Sequence, residues 1–237
     1  MKTTKSISQF EKLIDGYLDK GYAIYDECFS KSFIDELREL AINRYENNDF
    51  RLAGIGDRFN FTKEKSIRSD QIYWLPKTGI EGVQQDYMNW VAEFVEYLNY
   101  SCFAGILDYN FHYAIYEEGS FYERHSDQFH NRDQRKFSMV LYLSEDWKNG
   151  DGGELVIYSK RLNSEQEAES KSEIRNQKSE MGVIDGNERT RTSNSNSIII
   201  EPLPGRLVFF DSALEHEVLT SNALRVSLTG WMKRRGL

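Results

Sequence analysis

The sequence predicts an α+β fold in which helices come first and β-structure follows. In the first hundred residues, apolar side chains recur every three or four positions, which is the spacing of one helix face. From about residue 109 they alternate with polar side chains, which is the spacing of a strand with one buried face. About seven or eight short strands with turn signals between them favour a sandwich or barrel, with the helices buttressing one sheet.

Three helices are predicted in the first hundred residues. The first ends before Gly21, and its apolar stripe consists of Phe10, Leu13, Ile14, Tyr17 and Leu18. The second begins after Ser32, which is placed to cap it. The third has an apolar face between Val83 and Leu98. A short strand is expected at 22–25, and a long loop or irregular hairpin at 47–71.

The strand region contains one segment of a different composition. Residues 160–197 are rich in Ser, Glu, Lys, Arg and Asn, and no aromatic residue occurs between Tyr158 and Phe209. So few large apolar groups cannot offset the entropy of ordering the chain. We therefore expect a long, flexible insertion between two strands.

Composition excludes several classes of protein. With 237 residues, a net charge of −8 and 39% hydrophobic residues, the chain is predicted to be one globular domain over 1–237. The acidic balance argues against a nucleic-acid partner, and no apolar run is long enough to cross a membrane. Cys28 and Cys102 are too few for a disulfide scaffold or a cysteine metal site. A cytoplasmic protein, monomeric or weakly dimeric, is expected.

Three residues have the spacing of a metal site. His125 and Asp127 are two positions apart, so on an extended strand end both side chains point the same way. His216, from a distant strand, is able to supply a second imidazole. Two histidines and one carboxylate are the ligand set of non-haem Fe(II) oxygenases, which leave three coordination positions open. A lone His-x-Asp is common by chance, so the prediction also depends on the residues that follow His216.

Nine residues after His216 comes a strand with one polar face, formed by Arg225, Ser227 and Thr229. An inward-facing arginine is costly to bury unless it meets an anion, and its guanidinium can bind a carboxylate through two hydrogen bonds. We predict that Arg225 binds the distal carboxylate of 2-oxoglutarate and that Tyr142 donates its phenol to the same group. The competing interpretation is a salt bridge from Arg225 to a surface carboxylate.

The order of motifs resembles the 2-oxoglutarate- and Fe(II)-dependent prolyl 4-hydroxylase superfamily, especially the branch of the hypoxia-inducible-factor prolyl hydroxylases and their bacterial relatives. The resemblance covers residues 66–235 apart from the insertion. After Tyr116, the segments that carry it are GSFYERHSD, RKFSMVLYLSEDW, GDGGELVIY, PLPGRLVFFDSALEHEV and RVSLTGW. Upstream, Ile67–Leu75 is similar to the segment that borders the substrate cleft in that branch.

The resemblance implies a double-stranded β-helix (jelly roll) formed by residues 101–237, with residues 1–100 as mainly helical support. It implies that His125, Asp127 and His216 hold Fe(II) and that O2 is a cosubstrate. The residues that it places around 2-oxoglutarate are Arg225, Tyr142, Tyr116 and Thr229. The residues that it places beside the substrate are Arg135, Trp231 and the loop pair Arg68 and Asp70. It also implies ascorbate as reductant and a prolyl residue of a protein as substrate.

Alternatives to a protein hydroxylase remain open at this point. The same scaffold is able to hydroxylate a free amino acid or another small molecule, or to serve as an oxygen or 2-oxoglutarate sensor with little turnover. A cupin-like metal hydrolase or isomerase uses similar ligands, but Arg225 with Tyr142 speaks against it. Of the remaining histidines, His112 is expected to be structural and His130 solvated, and 233–235 is expected to be a solvated tail.

Overall fold

The α+β prediction is confirmed in a computed structural model, which describes residues 4–54, 66–128, 135–158, 190–192 and 197–234. The helices are α1 (Thr4–Lys20), α2 (Lys31–Glu46) and α3 (Gly82–Cys102). The first six strands are β1 (Tyr22–Tyr25), β2 (Arg51–Leu52), β3 (Gln71–Trp74), β4 (Ile106–Tyr116), β5 (Tyr122–His125) and β6 (Arg135–Tyr142). The last six are β7 (Leu155–Tyr158), β8 (Thr190–Thr192), β9 (Ser197–Ile200), β10 (Leu207–Asp211), β11 (Glu215–Val218) and β12 (Arg225–Arg234).

The strands form two antiparallel sheets. The major sheet has the order β1-β10-β6-β12-β4-β3-β2, and the minor sheet has the order β5-β11-β7-β9-β8. Because side chains alternate along a strand, the major sheet serves two cores. Met139 and Leu141 of β6 pack towards the helices, with Phe94 of α3 and Phe10 of α1 in the same cluster. Their neighbours Val140 and Tyr142 pack instead with residues of the minor sheet. The two sheets and their helical support are consistent with the double-stranded β-helix of 2-oxoglutarate oxygenases.

Residues 67–74, which we call the strap, pair with both sheets. At its start, the Ser69 amide donates to Phe121 O at 3.1 Å and the Glu123 amide donates to Ile67 O at 2.8 Å. These bonds attach the strap to the free edge of β5. Its second half is β3, which pairs with β4 in the major sheet. The strap therefore crosses from one sheet to the other beside the first half of β5, whose last residue is the first predicted metal ligand.

Three expectations of local structure were wrong in detail. Helix α2 is capped by Ser30, whose hydroxyl accepts from the Phe33 amide at 3.3 Å, and Ser32 is already inside the helix. The predicted insertion ends too late, because 190–192 forms β8 and Ser197 begins β9, and these two strands pair. The expected solvated tail also begins too early, since β12 continues through Arg234. Most of the insertion, 159–189 and 193–196, lies outside the described residues, as does His130.

The described helices include none that is both long enough and apolar enough to cross a membrane.

Candidate metal and cosubstrate site

The three predicted metal ligands come together at the end of the minor sheet. His125 is the last residue of β5, and it is the register partner of His216 on β11. Asp127 follows two residues later, and its amide donates to Ser212 O at 3.0 Å, which anchors the turn. One ligand atom from each of the three residues lies within 4.8 Å of the others. The sheet register thus brings together residues that are 91 positions apart in the sequence.

Both imidazoles are held in the same way. The Nδ1 atom of His125 lies 2.7 Å from Glu123 O, and that of His216 lies 2.9 Å from Leu214 O. Each Nδ1 therefore carries the proton and donates it to a backbone carbonyl, which leaves the Nε2 lone pair for a metal. The two Nε2 atoms lie 3.9 and 3.6 Å from the carboxylate oxygens of Asp127.

Two serines orient the carboxylate. Ser138 Oγ donates to Asp127 Oδ2 at 2.6 Å, and the same hydroxyl lies 2.8 Å from Ser212 Oγ. All three side chains are buried. The hydrogen bond occupies one lone pair of Oδ2 and fixes the rotation of the carboxylate. This is the support that metal-binding carboxylates ordinarily receive from a surrounding layer of hydrogen bonds.

The ionisation states suit metal binding. Burial lowers the pKa of the His125 imidazole to about 3, and the His216 imidazole acts in the same direction. Burial alone would raise the pKa of Asp127, but the two imidazoles, the Arg135 guanidinium and the Ser138 hydroxyl together hold it below its usual range. At neutral pH His125 is thus neutral and Asp127 ionised, which are the forms that bind a metal.

Arg225 lies at one end of the site, which we call the cosubstrate end. Its guanidinium carbon lies 4.6 Å from the Tyr116 ring centroid and 4.9 Å from that of Tyr142. It is 4% exposed and forms no ion pair with any residue that the structure describes. Gly153 allows this placement, because a Cβ there would lie 2.8 Å from Arg225 Cδ. Thr229 lines the cavity on the same face of β12, with its hydroxyl 3.3 Å from that of Ser227.

The polar atoms at the cosubstrate end fit a carboxylate. Arg225 Nε and Tyr142 Oη are buried and have no hydrogen-bond partner in the described part of the chain. Burial raises the pKa of the Tyr142 phenol, so it keeps its proton and is a donor. A buried cation beside an unpartnered phenol is costly by itself but matches an anion that accepts from both. These residues therefore fit the distal carboxylate of 2-oxoglutarate, as the metal ligands fit Fe(II).

The remaining wall of the cavity, which we call the substrate end because the sequence predicts substrate contacts there, contains charges that already have partners. Arg68 forms two hydrogen bonds with the Asp70 carboxylate, at 2.7 and 2.6 Å, and its guanidinium carbon lies 4.1 Å from the Tyr122 ring centroid. Arg135 Nη1 lies 3.7 Å from Asp127 Oδ1, and its guanidinium carbon lies 3.6 Å from the Trp231 ring centroid. Arg68 and Asp70 belong to the strap and are held in place by its pairing with β5.

A single cavity joins these groups, with about 510 Å³ of empty space that is partly open to solvent. Of the eleven predicted site residues, nine line it: Arg68, Asp70, Tyr116, His125, Asp127, His216, Arg225, Thr229 and Trp231. The other two lie behind this lining. Tyr142 is buried against Arg225, and Arg135 is stacked on Trp231.

Sequence reasoning missed four residues of the site. Ser212 supports Asp127, Tyr122 stacks on His125 with ring centroids 3.5 Å apart, and His112 and Ser138 line the cavity. Ser138 was visible only as a neighbour of Tyr142 on one strand face. Tyr122 and Ser212 lie three residues before and four residues before a metal ligand, but nothing in their spacing indicates a contact. For His112 the sequence did contain a signal, because strand alternation places it on the same face of β4 as Tyr116.

Comparison with known proteins agrees with this geometry. Residues 111–233 match the sequence model of the 2OG-Fe(II) oxygenase superfamily. The matched segment begins in β4, ends in β12, and includes all three metal ligands and Arg225.

Solved structures with the same fold include several hydroxylases. The chain is 26% identical to a prolyl-4-hydroxylase from Pseudomonas putida, with a TM-score of 0.73, and the alignment covers 96% of this chain and 100% of that one. A Trichoplax adhaerens prolyl hydroxylase, solved with a hypoxia-inducible-factor peptide fragment, is 22% identical with a TM-score of 0.70, covering 98% and 94% of the two chains.

A third structure has a different chemistry. SnoK, a non-haem α-ketoglutarate-dependent carbocyclase from nogalamycin biosynthesis, is 9% identical with a TM-score of 0.62, covering 99% of this chain and 87% of that one. The fold is therefore shared by enzymes with different reactions. The motif match over more than half of the chain, together with the buried His-x-Asp…His cluster, establishes that this chain belongs to the 2OG-Fe(II) oxygenase superfamily.

Proposed function

We propose that this protein is a dioxygenase that hydroxylates a prolyl residue of a protein substrate. The observation that carries the proposal is the end-to-end similarity to the Pseudomonas putida prolyl-4-hydroxylase, which covers 96% of this chain and all of that one. A coverage of 96% means that the similarity extends beyond the catalytic strands into the helical part of the chain. The strap contributes Arg68 and Asp70, the two residues that we propose form part of the wall met by the substrate.

Metal binding and cosubstrate binding are assigned to two separate sets of residues. His125, Asp127 and His216 hold Fe(II), and Arg225 with Tyr142 binds the distal carboxylate of 2-oxoglutarate. When bound, the iron and 2-oxoglutarate supply an oxidative decarboxylation that places one atom of O2 on the substrate and the other in succinate, with release of CO2. The protein fixes the cosubstrate with charge-assisted hydrogen bonds, each worth about 1.5–3 kcal/mol.

The substrate end offers surfaces that suit a prolyl ring. Trp231 is 7% exposed and lines the cavity, and the Arg135 guanidinium stacked on it holds the indole in place. Trp74 extends this aromatic surface towards solvent, with its ring centroid 5.8 Å from that of Trp231. A pyrrolidine ring is apolar and flat enough to pack on an indole face, while the rest of a polypeptide remains in solvent. This is the arrangement that a single residue within a protein chain requires.

The test is succinate formation by the purified protein with Fe(II), 2-oxoglutarate and ascorbate, our proposed reductant, with and without fractions of a cell lysate. Stimulation by the protein fraction, followed by mass spectrometry that finds one added oxygen atom on a prolyl residue, is the expected result. A protein fraction that yields no modified proline would contradict the proposal.

A second candidate is hydroxylation of a free amino acid or another small molecule. The similarity to SnoK, with a TM-score of 0.62 over 99% of this chain, favours keeping it, because that enzyme belongs to a biosynthetic route for a small molecule. Stimulation by the small-molecule fraction alone would select this function. If the protein bound metal but formed no succinate under any condition, a sensor with little turnover would replace both. The superfamily match favours all three over a hydrolase or isomerase of the cupin type.

A further inference from the structure

His112 lies in the same cavity as the metal ligands but belongs to neither the metal cluster nor the cosubstrate end. It is on β4, is 3% exposed, and lines the cavity. Its Nδ1 atom is buried and has no hydrogen-bond partner among the residues that the structure describes. Leaving such an atom unpaired costs about 1–3 kcal/mol. A histidine that only fills a core would ordinarily have this atom satisfied by a neighbour.

Aromatic packing fixes the position of His112. Its ring centroid lies 4.7 Å from that of Trp74 and 5.2 Å from that of Trp231. Trp231 also lines the cavity, and its Nε1 atom is likewise buried and unpartnered in the described chain. Two neighbouring side chains of one cavity wall therefore each have a polar nitrogen without a partner. The carboxylate expected at the cosubstrate end does not account for them, because that carboxylate is matched by Arg225 and Tyr142.

The imidazole of His112 is neutral at physiological pH. Burial lowers its pKa to about 3, and the Arg68 and Arg135 guanidinium groups act in the same direction, against the weaker effect of Asp127. In the tautomer protonated at Nε2, the open Nδ1 atom of His112 is an acceptor, whereas the Trp231 indole is a donor only. The pair therefore suits an uncharged group that both accepts and donates hydrogen bonds. In a polypeptide the backbone amide is such a group.

We propose that His112 and Trp231 form a polar subsite that binds a backbone amide of the substrate next to the residue to be hydroxylated. In this arrangement Trp231 Nε1 donates to the amide carbonyl, and His112 Nδ1 pairs with the adjacent amide group. His112 is then a specificity-determining residue of the substrate end. The proposal deepens the proposed function and rests on it, since the amide is what a protein substrate supplies.

Two substitutions distinguish the contribution of the His112 Nδ1 atom from that of its aromatic ring. His112→Phe keeps an aromatic ring between the tryptophans but removes Nδ1, while His112→Asn keeps a polar atom near the Nδ1 position and removes the ring. For the substrate identified by the lysate assay, we expect kcat/KM to fall about tenfold to a hundredfold in His112→Phe and substantially less in His112→Asn. Equal losses in both variants would assign the effect to ring packing and overturn the subsite.

The KM for 2-oxoglutarate locates the effect. We expect the loss to be largest for the hydroxylated substrate, because no contact of His112 with Arg225 or Tyr142 is described and only its cross-strand neighbour Thr229 belongs to the cosubstrate end. A parallel rise in the KM for 2-oxoglutarate would place His112 at the cosubstrate end and contradict the proposal. If the wild-type protein modifies no prolyl residue but acts on a small molecule, the proposed function fails. The same two variants assayed with that molecule then decide whether the subsite exists.

Thermal stability provides a test that needs no substrate. Since Nδ1 is unpartnered in the free protein, replacing it with carbon in His112→Phe is expected to leave the melting temperature unchanged or raise it. A structural histidine predicts the opposite pattern, namely a lower melting temperature with kcat/KM unchanged. That outcome would overturn the proposal whatever the substrate proves to be.

Discussion

The two ends of the cavity use arginine in opposite ways. At the cosubstrate end Arg225 is buried among aromatic rings and makes no ion pair within the described chain. At the substrate end Arg68 is held by two hydrogen bonds to Asp70, a carboxylate that is itself only 1% exposed. A buried cation without a counterion is available to an anionic ligand, whereas a buried pair has satisfied its charge internally. The first arrangement suits the binding of an anionic ligand, and the second suits a wall of fixed shape.

The metal ligands line the same cavity, and the proposed reaction depends on all three of them. We expect His125→Ala, Asp127→Ala or His216→Ala to abolish metal binding and succinate formation, because two of three protein ligands cannot hold the ion in an open site. Metal content after dialysis and succinate assays measure this. His112→Phe is the matched histidine control and should retain the metal. Full activity in any of the three alanine variants would refute the assignment of the ligands.

The buried pair predicts a large effect on stability. Arg68→Met leaves the Asp70 carboxylate buried without a partner, and the free energy of unfolding should fall by about 3–5 kcal/mol. Urea denaturation is the measurement. The control is Lys77→Met, which breaks the exposed ion pair with Asp108 and should cost no more than about 1 kcal/mol. Equal effects of the two variants would show that the Arg68 pair is not shielded from solvent.

Replacing Arg225 with methionine should have the reverse pattern, with a large effect on cosubstrate binding and little effect on stability. Arg225→Met removes two charge-assisted hydrogen bonds to 2-oxoglutarate, so its KM should rise about a hundredfold or more. Stability should change little or increase, because no unpaired buried charge is left behind and the Ser227 hydroxyl keeps its contact with Thr229. Steady-state kinetics and the same urea titration check the two parts. An unchanged KM would show that the cosubstrate binds elsewhere, and a loss of stability like that of Arg68→Met would erase the difference between the ends.

A smaller effect, on metal affinity, is expected from the serine that contacts Asp127. Ser138→Ala removes the hydroxyl that orients Asp127, and metal affinity should fall about tenfold. A titration with Mn(II) as a spectroscopic substitute measures affinity independently of turnover. Ser126→Ala is the control, because that hydroxyl donates to Gln128 O and makes no contact with the carboxylate. Equal affinities in the two variants would show that Ser138 does not position Asp127.

Acid should destabilise the metal-free protein through His112. Its pKa is lowered from 6.5 to about 3 by burial, so below pH 6.5 the unfolded state binds a proton that the folded state does not. Its contribution to stability is therefore present above pH 6.5 and is lost as the pH falls towards 3. At about pH 5.5 the loss is about 1.4 kcal/mol. Urea titrations at pH 7.5 and about 5.5 should show a smaller decrease in His112→Phe than in the wild type.

The sequence was sufficient for residues whose roles depend on strand alternation. His125 with Asp127, and Arg225 with Thr229, were predicted because side chains an even number of positions apart on a strand share a face, and the structure places them in one cavity. The register between strands could not be obtained in this way. The contact of Ser138 with Ser212, 74 residues away, follows from the pairing of β6 with β10, which no local pattern specifies.

Competition between similar residues explains the local errors. Ser30 and Ser32 are both able to cap α2, and the structure selects Ser30, whose backbone is extended. The end of β12 was missed because Lys233 and Arg234 have the composition of a solvated tail. In the structure Lys233 pairs in register with Asp108 and Arg135, so the sheet continues beneath the charged side chains. His112 was predicted to be structural because its face on β4 was known but the cavity beside it was not.

The strap also covers a strand edge through which copies of the protein could otherwise associate. Strand β5 ends the minor sheet, and its backbone groups would otherwise be an open edge on which another chain could pair. The bonds of the strap at Ile67 and Ser69 occupy that edge. Variants that loosen the strap are therefore expected to aggregate as well as to lose activity, because the wall proposed to meet the substrate also blocks strand pairing between copies.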